Sequence, residues 1–541
     1  MTASQRPGGK GSAVAGRAGD TTTGGKQHIS RRLTTRVSAS LVLLAALALT
    51  ISVTGCGSAT TSSTSTPVST APPGPGATID AARADRLTAA AFDFIELLAS
   101  GRFDEAYQAF DDTMKQALPP EALQETWASV ERQVGSYVEP IAVREEASGG
   151  FVAIVVQVAF ADAPLDVRVV FDGEDSIAGL FFQPAQTAYE NPPYSNPDAF
   201  TERKLTVVHG SWELPATLTL PTGPGPFPGL VLVHGSGPQD RDETIGPNKP
   251  FRDLAEGLAT AGIAVLRYEK RTLHYAGEAA SFSPMTVQEE TIDDALAAVA
   301  TLRDIPEVPA EAVFLLGHSL GGTLAPRIGL SDPSIAGFVI LAGAARPLED
   351  LILEQTRYLH ALEEQAGADE EAALAELEEQ VARVKDPALS EATPASSLPL
   401  GIPAAYWLDL RGYDPPSAAH QLARPLLVLQ GERDYQVTDA DFALWQEALS
   451  SAPQAELHLY PELNHLFVSG EGPSRPLEYL RPGHVDAEVI EDIARFILET
   501  TAVATEDDGR ESVYTLTDIT RRLGYPSRSF LPQDPTGSTA S

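Results

Sequence analysis

A serine flanked by small residues stands at the point where a buried strand is predicted to end. Residues 317–321 read Gly-His-Ser-Leu-Gly, a G-x-S-x-G pattern centred on Ser319. The apolar stretch 313–316 directly precedes this pattern, and helical spacing over 320–328 follows it. A sharp strand-to-helix turn needs small flanking residues and leaves the serine hydroxyl exposed at the helix N-terminus. The pattern predicts a nucleophilic serine; the alternative is a glycine-rich turn without chemistry.

A nucleophilic serine needs a histidine base and an acid that orients this base. In proteins with a G-x-S-x-G turn, the acid comes after the serine in the chain. The apolar strand predicted over 426–429 is followed by Gln-Gly-Glu-Arg-Asp. This order places Asp434 just beyond a strand end, with Glu432 as the competing acid. We predict Asp434 as the orienting acid because its position after the glycine turn suits that role better.

The general base is expected after the acid, on a loop that reaches back to the serine. His465 follows the strand predicted over 457–460 and precedes the final helix. His318, inside the serine turn, and His484, just before the last helix, are the alternatives. We predict that His465 is the base and that the other two histidines are structural.

Backbone N–H donors for an oxyanion are predicted where the first central strand ends. Residues 233–238 read Val-His-Gly-Ser-Gly-Pro, and two glycines allow the backbone to approach a substrate oxygen. The N–H groups of Ser236 and Leu320 would then form the oxyanion hole, although a simple Gly-Pro turn is the alternative. Arg241 and Asp242 are expected to brace this loop through ion pairs.

The elements that position these residues alternate between short apolar strands and helices over 204–500. Continuous apolar strands of this kind are typical of a mostly parallel sheet with helices on both faces, an α/β class. Ligands bind such sheets outside the carboxyl ends of the strands, where Ser319, Asp434 and His465 are all predicted to lie.

An insertion over about 346–424 interrupts the alternation and is predicted to form a helical cap over the strand ends. Tyr406, Trp407 and Tyr413 lie where the cap returns to the sheet. These aromatic residues are candidates for a substrate pocket, and packing of the cap on the core is the equal alternative.

A smaller unit, 81–187, precedes the sheet and is joined to it by a linker, 188–203. Its pattern predicts helices over 81–100, 103–114 and 120–134, followed by four strands between 137 and 183. This is an α+β arrangement without a plausible catalytic constellation. We expect it to serve binding, spacing or dimerisation.

The N-terminal region indicates export and lipid anchoring. The chain has 541 residues and a single cysteine, Cys56, which follows an apolar run over 41–53 and the small residues Val-Thr-Gly. This resembles the bacterial lipobox, which implies a signal peptide over 1–55, diacylation of Cys56 and a flexible linker over 56–80. The alternatives are a plain cleaved signal, or a membrane-spanning anchor with a chance cysteine.

Composition limits the partners of the chain. A net charge of −36 disfavours nucleic acid, because an acidic surface repels phosphate backbones. The tail over 501–541 is polar and is expected to be loosely ordered. The expected partners are a small-molecule substrate and the membrane. The lipid anchor would hold the protein on the extracytoplasmic face of this membrane. The sequence leaves the oligomeric state open.

Residues 229–499 resemble the bacterial α/β-hydrolase carboxylesterases in which an H-G-S-G-P-x-D-R-D-E segment follows the oxyanion strand. Here that segment reads without a gap over 234–243, and 251–255 and 265–271 are also similar. The sequence departs from the pattern at Glu269, where an aspartate is more usual. The first unit similarly resembles a small domain fused ahead of secreted hydrolases.

The resemblance implies hydrolysis of short-chain carboxylic esters through a Ser-His-Asp triad and an acyl-enzyme. The chemistry requires neither a metal nor an organic cofactor. A serine peptidase or amidase, and a surface binding lipoprotein whose hydrolase domain is a scaffold, are the alternatives.

Overall fold

The computed structural model of the chain describes residues 80–148, 150–186, 188–277, 285–362 and 368–507. The predicted signal peptide, Cys56 and most of the predicted tail lie outside these ranges. No helix within them is both long enough and apolar enough to cross a membrane.

The first unit packs four helices against one face of an antiparallel sheet whose strands are in sequential order. Its elements are α1 (Ala81–Ala99), α2 (Phe103–Gln108), α3 (Asp112–Ala117), α4 (Pro120–Val134), β1 (Tyr137–Ser148), β2 (Phe151–Phe160), β3 (Leu165–Phe171) and β4 (Ile177–Pro184).

The helix predicted over 103–114 is wrong as a single helix, because the structure divides it into α2 and α3. The helical conformation is interrupted at Phe110, which forms an isolated β-bridge with Ile177. Helix α3 then starts anew with Asp111 as its N-cap, whose carboxylate accepts a 2.6 Å hydrogen bond from the Met114 N–H.

The second sheet has eight strands in the order β12-β11-β10-β9-β7-β8-β6-β5. The strands are β5 (Phe200–His209), β6 (Trp212–Pro221), β7 (Gly229–Val233), β8 (Ala264–Tyr268), β9 (Val313–His318), β10 (Phe338–Leu341), β11 (Leu426–Gly431) and β12 (Ala455–Tyr460). Strand β6 is antiparallel to both of its neighbours, β5 and β8. The remaining neighbours, in the spatial order β8, β7, β9, β10, β11 and β12, all pair in parallel. This is the predicted α/β-hydrolase architecture, a mostly parallel sheet preceded by a small α+β unit.

Helices cover both faces of this sheet, and each face has its own hydrophobic core. Along β7, Val231 and Val233 face one core while Leu230 and Leu232 face the other. Burial on both faces explains why the central strands read as continuous apolar runs. The covering helices are α5 (Pro250–Ala261), α6 (Arg271–His274), α7 (Asp293–Arg303), α8 (Leu320–Ser331), α12 (Pro415–Gln421), α13 (Asp439–Leu449) and α14 (Ala487–Asp507). Helix α14 continues past the predicted domain end at residue 500.

The insertion carries three further helices, α9 (Leu348–Leu362), α10 (Ala368–Lys385) and α11 (Ala404–Leu410). They share a small core of their own that includes Ile352, Leu377 and Trp407. Helix α12 falls within the predicted insertion but packs against α8 and α13, so it belongs to the covering layer of the sheet.

The short helical turn Pro476–Leu480 contacts both units. Leu477 and Leu480 pack into the core of the first unit, whereas Tyr479 between them points to the strand ends of the second sheet. Arg481 Nε also donates a 3.1 Å hydrogen bond to the Asp162 carbonyl in the first unit. The first unit is therefore in direct contact with the segment that walls the candidate site.

Candidate active site

Ser319 lies on a strained turn between β9 and α8, with φ of 53° and ψ of −117°. A non-glycine residue in this region costs about 1–3 kcal/mol, so the surrounding packing must impose it. Glycine is required on both sides: a Cβ on Gly317 would lie 2.2 Å from the Gly321 carbonyl oxygen, and a Cβ on Gly321 would lie 2.3 Å from that of Val233. The close approach of β7, β9 and α8 thus holds the serine in its exposed position.

Asp434 and His465 meet beyond the ends of β11 and β12. His465 Nδ1 lies 2.6 Å from Asp434 Oδ2, and both side chains are almost fully buried. The other Asp434 oxygen accepts hydrogen bonds from the N–H groups of Gln436 at 2.7 Å and Val437 at 3.0 Å. The carboxylate is thereby fixed in the orientation that holds an Nδ1–H tautomer and leaves Nε2 to act as a base. The competing acid, Glu432, is exposed to solvent.

Ser319 and His465 line the same small cavity of about 60 Å³. The backbone of Gly235 closes one side of it, since a Cβ on this glycine would lie 3.1 Å from Ser319 Cβ. The predicted nucleophile, base, orienting acid and oxyanion loop therefore converge at one end of the sheet.

The predicted oxyanion donors lie on either side of Ser319. Leu320 is the first residue of α8, a position whose N–H has no partner within the helix. Ser236 follows Gly235 and lines both the small cavity and a larger one beside it. Within the described residues, neither N–H donates a hydrogen bond to another protein group. Both N–H groups can therefore donate to a substrate oxygen.

Two buried charged groups hold the backbone of Gly235 in place. Its N–H donates to Glu243 Oε1 at 2.7 Å, and its carbonyl accepts from Lys270 Nζ at 2.7 Å. Arg241 and Asp242, predicted as braces, pair further out, Arg241 with Glu269 at 2.8 Å and Asp242 with Lys249 at 3.0 Å.

A buried ion pair between Glu243 and His318 lies beneath the serine turn. His318 Nδ1 is 2.9 Å from Glu243 Oε2, and its Nε2 is 2.9 Å from the carbonyl oxygen of His465. Burial alone would lower the pKa of His318, but the charge and hydrogen bond of Glu243 outweigh it and raise this pKa. Burial alone would likewise raise the pKa of Glu243, yet His318 keeps it lowered. A protonated His318 donates in both directions and thus ties the oxyanion loop to the loop of His465.

Two further histidines close to the site, His484 and His234, have structural surroundings. His484 Nδ1 lies 3.1 Å from Asp253, and His234 is enclosed between the rings of Phe251 and Tyr268. Burial lowers the pKa of His234 to about 4, so its ring is neutral.

A chain of buried hydrogen bonds connects the oxyanion loop to the cap. Lys270, which holds Gly235, also donates to Glu290 at 2.6 Å, and Tyr406 donates its hydroxyl to the other oxygen of Glu290 at 2.7 Å. Burial, followed by the charge of Glu290, raises the pKa of Tyr406 well above its ordinary value. Sequence reasoning missed Glu243, Lys270 and Glu290 as contributors; the only signal was that Glu243 and Lys270 lie in the segments that carry the family resemblance.

A large cavity of about 1110 Å³ opens beside Ser319 beneath the cap. The three aromatic residues predicted for a substrate pocket, Tyr406, Trp407 and Tyr413, all line it. Trp407 packs in the core of the cap, and the Tyr413 hydroxyl donates a 2.8 Å hydrogen bond to the Thr323 carbonyl. These residues therefore combine packing of the cap with lining of the cavity.

Comparison with known proteins identifies relatives of both units. Residues 248–471 match the family model described as serine aminopeptidase, S33, and residues 91–180 match a protein family of unknown function, DUF3887. Esterase EstD of Thermotoga maritima is 39% identical over 410 residues, which cover 76% of this chain and 95% of the esterase.

Solved structures with similar folds include an esterase and a peptidase. Est1E from Butyrivibrio proteoclasticus is 16% identical with a TM-score of 0.36, covering 55% of this chain and 99% of that one. Dipeptidyl peptidase 4 of Porphyromonas gingivalis is 17% identical with a TM-score of 0.37, covering 66% of this chain and 43% of that one.

Proposed function

Because the chain belongs to the α/β-hydrolase esterase family that includes esterase EstD, we propose that it cleaves carboxylic esters through an acyl-enzyme on Ser319. The observation that carries this proposal is the convergence of Ser319, the hydrogen-bonded pair of His465 and Asp434, and the oxyanion loop around one small cavity.

The first step transfers the acyl group to Ser319. His465 Nε2 accepts the hydroxyl proton while Ser319 Oγ attacks the ester carbonyl carbon, and the carbonyl oxygen becomes an oxyanion held by the N–H groups of Ser236 and Leu320. The bond to the leaving oxygen then breaks, and His465 returns the proton to that oxygen, which departs as the alcohol. Asp434 stabilises the imidazolium throughout.

Water completes the cycle by the same route. His465 accepts a proton from water as the water oxygen attacks the acyl carbon, and the bond to Ser319 Oγ breaks with return of the proton to the serine. The carboxylic acid is released and the free enzyme is restored.

The test is hydrolysis of p-nitrophenyl acetate and butyrate by the full-length protein purified in detergent, beside Ser319→Ala. These short acyl groups are the ones that the sequence resemblance implies. We expect turnover that Ser319→Ala abolishes, with an unchanged melting temperature. Turnover that survives in this variant would refute Ser319 as the nucleophile. Peptide amides serve as the comparison, and their cleavage with little ester turnover would favour a peptidase.

We also propose that the enzyme is exported and anchored through a lipid on Cys56. The support is the position of the single cysteine, directly after an apolar run and the small residues of a lipobox-like sequence. In a bacterial host, the wild-type protein should fractionate with membranes and incorporate labelled palmitate, and Cys56→Ala should incorporate none. A Cys56→Ala protein that still carries the label would contradict lipid anchoring at Cys56.

A further inference from the structure

Ser319 lies at the junction of two cavities that differ in size and in chemistry. The small cavity, about 60 Å³, is lined in part by Gln239 and by two tyrosines, Tyr435 and Tyr479, and it shares the amides of Gln355 and Gln436 with the large cavity. The large cavity, about 1110 Å³, is lined by aliphatic side chains of the cap, including Leu348, Ile352 and Leu410. An ester bound at Ser319 extends in both directions from its carbonyl carbon, so its two halves must occupy different cavities.

The position of His465 decides which half enters which cavity. His465 lines the small cavity and, among the described residues, is not part of the lining of the large one. The base must pass its proton to the leaving oxygen, and this requires the oxygen to lie within hydrogen-bonding distance of it. The alcohol half therefore begins in the small cavity, and the acyl half extends into the large one.

Two tyrosines, Tyr435 and Tyr479, form the wall of the small cavity that limits the alcohol half, and their ring centroids are 6.3 Å apart. Tyr358, outside the cavity lining, stacks on Tyr435 with ring centroids 5.1 Å apart. The wall is fixed from behind, since the Tyr358 hydroxyl donates to the Ser474 carbonyl at 2.8 Å. A cavity of about 60 Å³ has room for about four to six water-sized groups, which suits a small polyol and not a long chain.

The acyl half has far more room, and its surroundings are mostly apolar, although charged side chains such as Arg346, Lys385 and Arg411 also line the cavity. A cavity of about 1110 Å³ slightly exceeds the usual volume of pockets that enclose whole drug-sized ligands. Burial of an alkyl chain against aliphatic side chains is favourable, and the gain increases with each methylene group removed from water. Short acyl groups would leave most of this surface without contacts.

We propose that the preferred substrates are esters of a medium-length or bulky apolar carboxylic acid with a small polar alcohol such as glycerol. This rests on the proposed function and extends it beyond the short acyl groups that the sequence implies. The enzyme then distinguishes the two halves of an ester, and the same alkyl chain is accepted as acid and rejected as alcohol.

Two esters that carry the same alkyl chain on opposite sides test this directly. The full-length protein is assayed with 1-octanoylglycerol and with octyl acetate at concentrations at which both are dissolved as monomers, and methyl butyrate, whose alcohol is small, reports general ester hydrolysis. We expect kcat/KM for 1-octanoylglycerol to exceed that for octyl acetate at least about tenfold, the usual weight of a misplaced apolar group. An equal or reversed ratio overturns the inference.

A matched pair of substitutions on one helix tests the assignment of each cavity. Leu348 and Leu359 both belong to α9, but Leu348 lines the large cavity and Leu359 the small one. Leu348→Trp should lower the ratio of octanoyl to acetyl ester turnover about tenfold. Leu359→Trp should leave that ratio unaltered and instead lower turnover of glyceryl relative to methyl octanoate.

The outcomes separate the inference from the proposed function. If methyl butyrate is cleaved and 1-octanoylglycerol is not, the inference fails and the esterase mechanism stands. If no ester is cleaved, the proposed function fails and the inference with it. Should either tryptophan variant unfold, as thermal melting would show, Leu348→Phe and Leu359→Phe provide smaller increases in volume with the same expected directions.

Discussion

The two sides of Ser319 differ in the kind of side chain that surrounds them. On the sheet side, buried charged groups hold the backbone: Glu243 and Lys270 fix Gly235, and His318 links Glu243 to the loop of His465. On the cap side, the surfaces are mostly aliphatic, and Tyr406 provides a polar tie through Glu290 to Lys270.

This difference separates chemistry from selectivity. Buried hydrogen-bonded ions have fixed partners and directions, which suits groups that must be held close to transition-state geometry. Apolar contacts have no direction and depend on area and shape, which suits recognition of an alkyl group. We therefore expect substitutions on the sheet side to change kcat, and substitutions in the cap to change which ester is preferred.

The largest effect is expected for the orienting acid. Asp434→Asn retains the shape of the side chain but favours the wrong tautomer of His465, so kcat should fall roughly 10³- to 10⁴-fold. The assay is hydrolysis of p-nitrophenyl butyrate at saturating substrate. Glu432→Gln is the matched control on the same loop, and it should retain wild-type turnover because this side chain is exposed. A greater loss in the control would exchange the roles of the two acids.

The next effect concerns the ion pair beneath the serine turn. Glu243→Gln removes the negative charge that raises the pKa of His318 and weakens the anchor of Gly235, so kcat should fall about 10²-fold with little change in KM. Steady-state kinetics with the same ester measure both constants. Glu269→Gln, which removes the partner of Arg241 further out, serves as control and should cost less than this. Equal losses in kcat for the two variants would contradict a positioning role specific to Glu243.

A smaller effect tests whether the two sides are coupled. Tyr406→Phe keeps the ring that lines the large cavity and removes only the hydroxyl bound to Glu290. The lost hydrogen bond should lower the free energy of unfolding by about 1–3 kcal/mol and leave kcat within about threefold, since Lys270 still pairs with Glu290. Urea denaturation and ester kinetics provide the two readouts. A fall in kcat comparable to that of Glu243→Gln would show that the cap helps to position the oxyanion loop.

The smallest effect on catalysis is expected at a histidine remote from both sides. His458 on β12 lies 3.3 Å from Asp492 and 3.8 Å from Glu456, and hydrogen bonds to these carboxylates raise its pKa to about 9. A raised pKa in the folded state stabilises the fold below the ordinary value near 6.5, and this stabilisation is lost as the pH rises through about 9. His458→Gln should therefore lower the urea midpoint at pH 6 and leave it unaltered at about pH 10, without loss of kcat. A deficit of equal size at both pH values would rule out this titration as the cause.

Local patterns were sufficient to predict that three of the candidate residues lie beyond strand ends. Ser319 and Asp434 follow apolar strands, His465 follows the edge strand β12, and the carboxyl ends of parallel strands meet at one edge of a sheet. The strands themselves were predictable because burial on both faces leaves continuous apolar runs.

Tertiary pairings were not predictable in the same way. Glu243 and His318 are 75 residues apart, and no periodicity connects two charged residues that meet only after folding. The break between α2 and α3 depends on the bridge from Phe110 to the distant β4, and the two cavities depend on how the cap helices pack. A single sequence carries no local signal for such contacts.

Covalent trapping is the most direct test of Ser319 as the nucleophile. The full-length protein is treated with a p-nitrophenyl alkylphosphonate, whose phosphorus reacts with an activated serine and releases p-nitrophenol, and the labelled peptide is located by mass spectrometry. We predict a single label on Ser319, loss of esterase activity in step with labelling, and much slower labelling of Asp434→Asn. A label on another serine, or a fully labelled protein that still cleaves p-nitrophenyl butyrate, would contradict the proposed mechanism.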